Sequence, residues 1–271
     1  MNHYQTFFIE HQAELRMYSF VALILMFAGL ECVWPRRAAD DNSKFRRLNN
    51  LFLLFVNFIA VRLLVPLATF EVALHVAERD IGLFNILSLP MLLNVTLTII
   101  IFDFLIYIQH VVFHKIECFW RIHRVHHTDI EFDVTTAIRF HPIEIILSMI
   151  YKLVAVYLIG PVAFAIILYE IILNAAALFG HSNILLGKKL DFLLRKIFVT
   201  PDMHRIHHSV LRKETDSNYG NVFSIWDKVF KTYRELPEAG YDGMVIGLDK
   251  FRDTSSGQLL QLLKNPFTTG R

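Results

Sequence analysis

The chain has 271 residues, of which 54% are hydrophobic, and its mean hydropathy is +0.42. Ordinary globular chains are about 45–50% apolar, so this composition indicates a membrane protein rather than a water-soluble one. The formal net charge of +2 gives no reason to expect a nucleic-acid partner. Only two cysteines occur, Cys32 and Cys118, which excludes a disulfide framework and a thiolate metal site. Any bound metal must therefore be held by nitrogen or oxygen.

Five apolar segments follow one another along the chain, and each approaches the ~20 residues that a helix needs to cross a bilayer. They lie at residues 17–34, 48–70, 86–109, 143–159 and 161–180. Arg62 and Pro66 interrupt the second segment, and residues 71–80 are expected to form a loop. Gly160 and Pro161 separate the last two segments and predict a tight helical hairpin.

The distribution of lysine and arginine predicts how these segments are oriented in the membrane. Basic residues concentrate in 35–47, in 114–139 and from 188 onward. Five spans with the N-terminus outside place all three basic segments, and every clustered histidine, on the cytoplasmic side. Residues 1–16 lack the pattern of a cleavable signal peptide, so the first span is expected to stay in the protein. The alternative is that some segments are re-entrant, or are buried helices of a soluble protein.

Ten of the 13 histidines fall between residues 110 and 208, and most recur at helical spacings. Spacings of i, i+3 and i, i+4 place imidazoles on one face of a helix. A single histidine is most often a core residue with a satisfied hydrogen bond, but histidines grouped at one membrane face point to metal ligands. The ten are His110 and His114; His123, His126 and His127; His141; His181; and His204, His207 and His208.

This number of histidines predicts two metal ions, because one transition metal accepts at most about six ligands. HRVHH at 123–127 and HRIHH at 204–208 are each expected to contribute ligands, with an adjacent pair such as His126 and His127 divided between the ions. The intervening Val125 and Ile206 would face away, toward packing. Imidazole suits zinc, copper, nickel and iron alike, but nitrogen ligands with little obligatory carboxylate would leave open positions on iron for dioxygen.

An ordered set of motifs between Asp103 and Tyr233 resembles the fatty acid hydroxylase superfamily, integral membrane enzymes that include sterol desaturases and lipid hydroxylases. The motifs are DFLIYIQHVVFH, FWRIHRVHHTD, RFHPIE, HSN, TPDMHRIHHS and NYGNVFSIWDKVFKTY. We expect one integral membrane domain over residues 1–271, and the resemblance implies a catalytic region at about 95–235. Its fold would be an all-α bundle of four to five transmembrane helices with a helical cytoplasmic cap that carries the metals.

The resemblance also implies a non-haem centre of two iron ions, for which zinc can substitute in a purified or crystallised form. Its ligands would be the histidines of the HxxxH, HxxHH and HSN motifs, with His141 of RFHP either a tenth ligand or a residue behind them. The reaction would hydroxylate or desaturate an unactivated C–H bond of a lipid or sterol-like substrate with O2. Because the chain shows no haem, flavin or iron–sulfur motif, electrons would come from a cytochrome b5-like protein, a ferredoxin or a reductase.

Polar residues near the histidines each have two interpretations. Carboxylates there either accept the second imidazole N–H, which fixes the tautomer and orientation of the ring, or serve as surface and capping groups. These carboxylates are Asp129, Asp133, Glu144 and Asp202. At the end of the third apolar segment, Asp103, Tyr107 and Gln109 are either contacts to substrate or hydrogen-bonding groups between helices.

The segment after the second HxxHH motif is expected to support the site without taking part in catalysis. Asn218, Tyr219 and Gly220 predict a turn that packs under the site. Trp226 and Phe230, with Asp227 between them, are expected to dock the C-terminal tail.

Four arginines are interleaved with the histidines, and two explanations fit them. They are Arg121, Arg124, Arg139 and Arg205. Either the positive-inside rule accounts for them, or they form a docking face for an acidic electron carrier.

Two other functions compete with the oxygenase. One is a histidine-rich membrane protein that binds or transports metal, and the other is an inactive relative that holds structural zinc. Transport needs ligands along a path through the bilayer, whereas these histidines concentrate at one face. The complete set of motifs argues against an inactive relative.

Overall fold

The computed structural model describes residues 3–38, 43–65 and 67–269. Within these ranges the chain is helical and contains isolated β-bridges but no strand, which confirms the predicted all-α fold. Pro66, where the sequence predicts an interruption, lies outside the described residues, as does part of the basic segment 35–47.

Five segments of the described chain are long and apolar enough to cross a membrane, as the composition predicts. They are Gln12–Val33 (α2), Lys44–Ile86, Met91–Lys115 (α6), Pro142–Ile159 (α8) and Ala163–Gly180 (α9). The second overlaps three helices, Ser43–Leu64 (α3), Thr69–Glu78 (α4) and Leu83–Ile86 (α5), and a short helix, His3–Glu10 (α1), precedes the first. Large apolar side chains such as Leu63 and Leu92 are exposed on these helices, where hydrocarbon would cover them.

The remaining helices are short and follow or connect the long ones. They are Glu117–His127 (α7), Lys188–Leu194 (α10), Pro201–His207 (α11), Arg212–Thr215 (α12), Ile225–Val229 (α13), Gly240–Gly243 (α14) and Leu259–Lys264 (α15), with single 3₁₀ turns at Thr136–Ile138, Thr254–Gly257 and Asn265–Phe267. Together with the loops between them they form a cap over one end of the long helices.

The loop predicted for residues 71–80 is wrong, because most of that segment belongs to α4. This helix packs against α8 and α9 and buries Ala73 and Val76 completely. Burial of one apolar face stabilises this short helix, although its sequence alone does not predict a helix.

The cap is fastened to the long helices by charged side chains that lie in the interior. Glu31, near the end of α2, accepts hydrogen bonds from the backbone amides of Val134 at 2.7 Å and Asn183 at 2.6 Å. Arg46, near the start of α3, donates to Asp129 at 2.7 Å and also binds Asp133. These bonds join the ends of α2 and α3 to the loops that follow α7 and α9.

The C-terminal tail docks onto α6 through Asp103. Its carboxylate accepts bonds from the amides of Val222 at 3.0 Å and Phe223 at 3.1 Å, and from the indole N–H of Trp226 at 2.8 Å. Because Asp103 is fully buried, these three donors compensate for its removal from water. The expected docking role of Trp226 is thus present, and Asp103 is its partner rather than a contact to substrate.

At the opposite end of the bundle, the α8–α9 hairpin turns at Gly160, in the left-handed region at φ +69°. A Cβ atom at this position would lie 2.7 Å from Asn85 Nδ2 and 2.8 Å from the carbonyl oxygen of Ile81. Only glycine tolerates both the dihedral angle and the close approach without strain. The predicted tight hairpin therefore requires glycine at position 160.

We expect Gly160→Ala to lower thermal stability more than Gly187→Ala, which is the matched control. Gly187 also has a positive φ, of +76°, but a Cβ there would meet no atom within 4 Å. The control therefore carries only the dihedral strain of about 1–3 kcal/mol, whereas Gly160→Ala adds a backbone clash. Unfolding midpoints of the purified protein in detergent measure the difference, and equal midpoints would contradict the packing described for Gly160.

Candidate metal centre

The clustered histidines lie on four elements that meet beneath the cap. His110 and His114 are one turn apart in α6, and the first HxxHH motif occupies the last two turns of α7. The second HxxHH motif occupies α11 and the residue that ends it. Thr200 starts α11 locally, because its hydroxyl accepts a bond from the amide of Met203 at 3.3 Å and proline follows it. His181 ends α9.

Nine of these histidines form two groups in which the candidate ligand atoms lie within 4.8 Å of one another. The five-histidine group is His110, His114, His123, His127 and His207, and the four-histidine group is His126, His181, His204 and His208. Each HxxHH motif contributes to both groups. The adjacent histidines therefore separate, His126 from His127 and His207 from His208, which is the arrangement that the ligand count predicts.

The nitrogen atoms within each group have the spacing of ligands around one ion. His181 Nε2 lies 3.0 Å from His126 Nε2 and 3.0 Å from His204 Nε2. In the other group, His123 Nε2 and His127 Nε2 are 3.3 Å apart. Nitrogen ligands at about 2.0–2.1 Å from one ion lie about 2.8–3.4 Å from each other in octahedral or tetrahedral geometry. The side chains therefore fit a metal in each group.

Four imidazoles are oriented by hydrogen bonds from Nδ1, which leave Nε2 directed at the group. His110 and His207 bond to the carbonyl oxygens of Tyr219 at 2.8 Å and Ser217 at 2.7 Å. His181 bonds to the carbonyl of Ala177 at 2.7 Å. A carbonyl oxygen only accepts, so Nδ1 carries the proton and Nε2 presents its lone pair. The fourth, His123, has Nδ1 at 2.7 Å from Glu144 Oε1, the carboxylate–histidine pair often found behind metal ligands.

The protein environment keeps these imidazoles neutral. Burial lowers the pKa of His181 to about 4 and that of His207 to about 3. Burial, followed by the proximity of the other histidines, holds the pKa values of His126, His127 and His208 well below the ordinary range. Neutral imidazole is the form that binds a metal, so the cap histidines are available as ligands at neutral pH.

Many of the ring nitrogens are buried and lack a hydrogen-bond partner within the described part of the chain. They include Nε2 of His110 and His207, and both nitrogens of His114 and His208. Buried polar atoms in proteins are nearly always paired, so unpaired nitrogens concentrated in one place need a further partner. A metal ion in each group would supply that partner to several nitrogens at once.

A cavity of about 450 Å³ lies between the long helices and reaches both histidine groups. His110 and His123 of the five-histidine group, and His126, His181 and His204 of the four-histidine group, form part of its wall. Most of the remaining wall is apolar and comes from α2, α3, α6, α8 and α9, including Phe20, Phe58, Ile106, Ile145 and Leu173. An apolar chain in this cavity would reach both groups from the interior of the bundle.

His141 is the one histidine of the predicted ten that lies outside both groups. Its Nδ1 accepts a bond from the amide of Ile143 at 3.2 Å and so caps the N-terminus of α8. Its Nε2 is 3.2 Å from the carbonyl oxygen of Leu263. Both ring nitrogens therefore have backbone partners. Proline at the next position favours a helix start there, which makes His141 the residue that caps α8. The structure gives it a capping role.

Of the four carboxylates expected behind the histidines, only Glu144 contacts one of them directly. Asp129 and Asp133 instead pair with Arg46, and Asp202 pairs with Arg36 at 3.1 Å. The sequence does not distinguish these cases, because the arginine partners come from a different part of the chain. A carboxylate that is close to a histidine in the sequence is therefore a poor predictor of a carboxylate that contacts the imidazole.

The polar residues at the end of α6 have three different roles. Asp103 docks the tail, and the Tyr107 hydroxyl lies 2.9 Å from the Thr232 hydroxyl of the same tail. Gln109 lines the cavity and donates to the Ser148 hydroxyl. Of the three, only Gln109 is placed to contact a molecule in the cavity.

The turn around Asn218 supports the site from behind. Asn218 has a positive φ of 52°, and its side chain bonds to the backbone of Met203 and Arg234. This holds the next residue, Tyr219, with its ring 5.5 Å from those of His110 and His207. Asn218 itself contacts no imidazole through its side chain, so its role is to shape the turn.

Phe140 is a site residue that the sequence did not identify. Its ring stacks on His126 with centroids 4.4 Å apart and planes 11° apart. It also lines the cavity, so it covers one face of the imidazole. A phenylalanine inside the RFHP motif gives no chemical signal in a sequence, because an apolar residue is equally expected in any core.

The arginines between the histidines do not form a docking face. Arg124, Arg139 and Arg205 are fully buried, and each donates to groups inside the cap. Arg139 bonds to the Val125 carbonyl at 3.0 Å and so secures the end of the first HxxHH helix. Only Arg121 is partly exposed. The explanation by an acidic carrier therefore fails for three of the four.

We expect Glu144→Ala to weaken metal binding by the five-histidine group by about 10–100-fold, because it removes the acceptor that orients His123. His141→Asn is the matched control at the same end of α8, since asparagine preserves the cap and His141 touches neither group. Metal content after timed exposure to a chelator, measured by mass spectrometry, tests this. Equal metal loss in the two variants would show that Glu144 does not orient a ligand.

Comparison with known proteins gives a consistent family assignment. The fatty acid hydroxylase family profile matches residues 95–232, just over half of the chain and a range that contains both histidine groups. Ornithine lipid hydroxylase OlsE of Rhizobium tropici is 30% identical over 149 residues, which cover 55% of this chain and 44% of that protein. Alkylglycerol monooxygenase of Homo sapiens is 32% identical over 148 residues, 54% of this chain and 31% of that protein. Alkylglycerol monooxygenase of Caenorhabditis elegans is 31% identical over 133 residues, which cover 48% of this chain and 25% of that protein.

The matched segment thus spans less than half the length of each of these relatives, and no solved structure gives a significant match. The family assignment accounts for the two histidine groups, the apolar helices and the order of the motifs along the chain. This chain belongs to the fatty acid hydroxylase family.

Proposed function

We propose that this protein hydroxylates an unactivated C–H bond of a membrane lipid, using dioxygen and electrons from a separate donor protein. The single observation that carries the proposal is the position of the cavity. One apolar cavity within the bundle is lined by histidines of both groups, so a hydrocarbon chain and two metal ions would meet there. The proposed catalytic region covers residues 95–235.

The donor set supports two iron ions as the resident metals. The nine group histidines would hold them, and the lack of a carboxylate or thiolate in either group leaves the metal identity to imidazole chemistry and family membership. Zinc would occupy the same ligands when iron is scarce. When bound, the iron ions supply the dioxygen chemistry that oxidises an unactivated C–H bond.

The chain's own residues position the reactants and exclude water. Glu144 and the carbonyl oxygens of Tyr219, Ser217 and Ala177 hold the ligand rings in fixed orientations before any substrate arrives. Apolar side chains from five helices surround the hydrocarbon and keep bulk water away from the reacting bond. Hydroxylation of this kind consumes one O2, two electrons and two protons, and releases one water with the alcohol.

Hydroxylation is favoured over desaturation by the relatives, which are described as a lipid hydroxylase and as monooxygenases. A transporter is less compatible with the arrangement, because both histidine groups lie at one end of the bundle rather than along a path through it. The electron donor is proposed to be a cytochrome b5-like protein, a ferredoxin or a reductase.

The proposed orientation places the histidine groups and the C-terminus on the cytoplasmic side, with the N-terminus opposite. Its support is the positive-inside rule, since the basic segments of the sequence flank the cap. The ends of α2, α6 and α9 and the starts of α3 and α8 all lie at the cap, so one end of the bundle carries every histidine motif.

The function is tested with the iron-loaded protein, a reductant, isotopically labelled O2 and a panel of membrane lipids. We expect a lipid alcohol that carries the label. His126→Ala and His207→Ala, one from each group, should reduce product to background while the helical content stays unchanged. Product oxygen that derives from water, or near-normal turnover in both variants, would contradict a two-metal oxygenase.

The orientation is tested with a membrane-impermeant maleimide. Cys118 is exposed at the start of α7, on the cap side, and Cys32→Ser leaves it the single cysteine of the chain. We expect labelling in inverted membrane vesicles and protection in right-side-out vesicles or intact cells. Labelling of intact cells would place the cap outside and overturn the proposed orientation.

A further inference from the structure

The cavity wall carries a charged residue, Lys152, about two helical turns along α8 from Glu144. Glu144, Ser148 and Lys152 are spaced four residues apart in α8, and all three line the cavity. Residues at this spacing share one helix face. Glu144 is next to His123, and Lys152 lies eight residues further along, which is about 12 Å along the helix axis. A polar stripe therefore runs from the histidines to Lys152.

The Lys152 ammonium has no strong partner among the described residues. The nearest acidic atom is Glu170 Oε1, at 3.8 Å, which is beyond hydrogen-bond distance. Glu170 is already engaged, because Thr69 donates to Oε1 at 2.7 Å and Arg16 lies 3.0 Å from Oε2. The cluster thus contains two cations, Arg16 and Lys152, and one carboxylate, and has an excess of one positive charge.

The rest of the wall makes this charge unusual. Apart from histidines, Glu144 and Lys152 are the charged residues of the described cavity lining, and they lie eight residues apart in α8. A lysine inside a membrane-spanning segment is costly unless it is paired or reaches water. Lys152 shares its one carboxylate with Arg16 and faces a cavity, so the site has room for a second anion. The ligand that compensates the excess positive charge is an anion.

We propose that Lys152 is a specificity residue that binds the acidic head group of a single-chain lipid. The inference deepens the proposed function and rests on it for the site of oxidation. With the acid at Lys152, the hydrocarbon would extend along α8 toward the histidines. Lysine side chains lean toward the helix N-terminus, which here is the histidine end, so the separation is shorter than the 12 Å of backbone. A carbon several methylenes from the acid would then meet the metal groups.

The size of the cavity favours one chain over two. Its volume of about 450 Å³ is at the lower end of the ~300–1,000 Å³ range of pockets that enclose a drug-sized ligand. A diacyl lipid would leave one chain and its head group outside. A free fatty acid or a lysophospholipid offers a single chain with an anionic group, and these two sources are separated by experiment.

The test is equilibrium binding of radiolabelled palmitate to the purified full-length protein, without reductant, so that no turnover occurs. At mildly alkaline pH the palmitate is ionised. We expect unlabelled palmitate to compete, methyl palmitate to compete at least about tenfold less well, and lysophosphatidate to show whether a phosphate is accepted in place of the carboxylate. Equal competition by palmitate and its methyl ester in the wild-type protein would overturn the proposal without any variant.

Lys152→Met should weaken palmitate binding at least about tenfold and leave the weak binding of the ester unchanged, whereas Lys152→Arg should retain most of the affinity. Arg62→Met is the matched control, because it removes an exposed positive charge from a span outside the cavity wall. If Lys152 only pairs with Glu170, Lys152→Met lowers the unfolding midpoint and changes acid and ester binding equally, which would refute the proposal.

The binding measurement tests the acid site and the turnover measurement tests the proposed oxygenase function, so either proposal can fail while the other stands. Binding that depends on Lys152 in a protein without oxygenase activity would support the acid site and sink the proposed function. Lipid hydroxylation without any preference for the acid over the ester would support the proposed function and refute the acid site at Lys152. Where the protein is active, Lys152→Met should raise KM for palmitate and broaden the positions at which oxygen is inserted.

Discussion

Nine imidazole rings lie in the interior at one end of a helical bundle, and each has two nitrogen atoms that need a partner there. Four rings bond through Nδ1 to a carbonyl or to Glu144, and this leaves the Nε2 atoms facing one another. Nε2 atoms 3.0–3.3 Å apart cannot all accept from one another, so in the interior each needs a shared proton or a metal ion as its partner. The rest of the cap is arranged around this constraint.

The cap holds the histidines in place with bonds that themselves lie in the interior. Arg46 and Glu31 fasten the loops after α7 and α9 to the long helices, and Asp103 fastens the tail to α6. Removing Arg46 would leave the buried carboxylates of Asp129 and Asp133 without their main cation, which costs about 3–5 kcal/mol by comparison with other buried ion pairs. The histidine groups thus depend on residues that never touch a metal.

The cavity connects this polar end with the apolar interior of the bundle. Histidines of both groups form part of its wall, apolar side chains from five helices form most of the rest, and Lys152 lies about two turns along α8 from Glu144. This arrangement matches a molecule that is a hydrocarbon with one polar terminus. It also relates the proposed oxygenase function to the proposed acid site. The histidines would determine where the lipid is oxidised, and Lys152 of α8 would determine which lipid binds.

Local patterns in the sequence were enough to predict the candidate spans, the helical presentation of the histidines and their division into two groups, because each depends on spacing within one helix or on a ligand count. The inward packing of Val125, beside Leu53 and Leu262, follows from the same periodicity. Tertiary structure alone decided that His141 caps a helix, that Asp129 and Asp202 pair with arginines, that Arg124, Arg139 and Arg205 are buried, and that Phe140 covers His126. In each of these cases the decisive partner is distant in sequence or chemically featureless, so only the packing of separate helices brings it into contact.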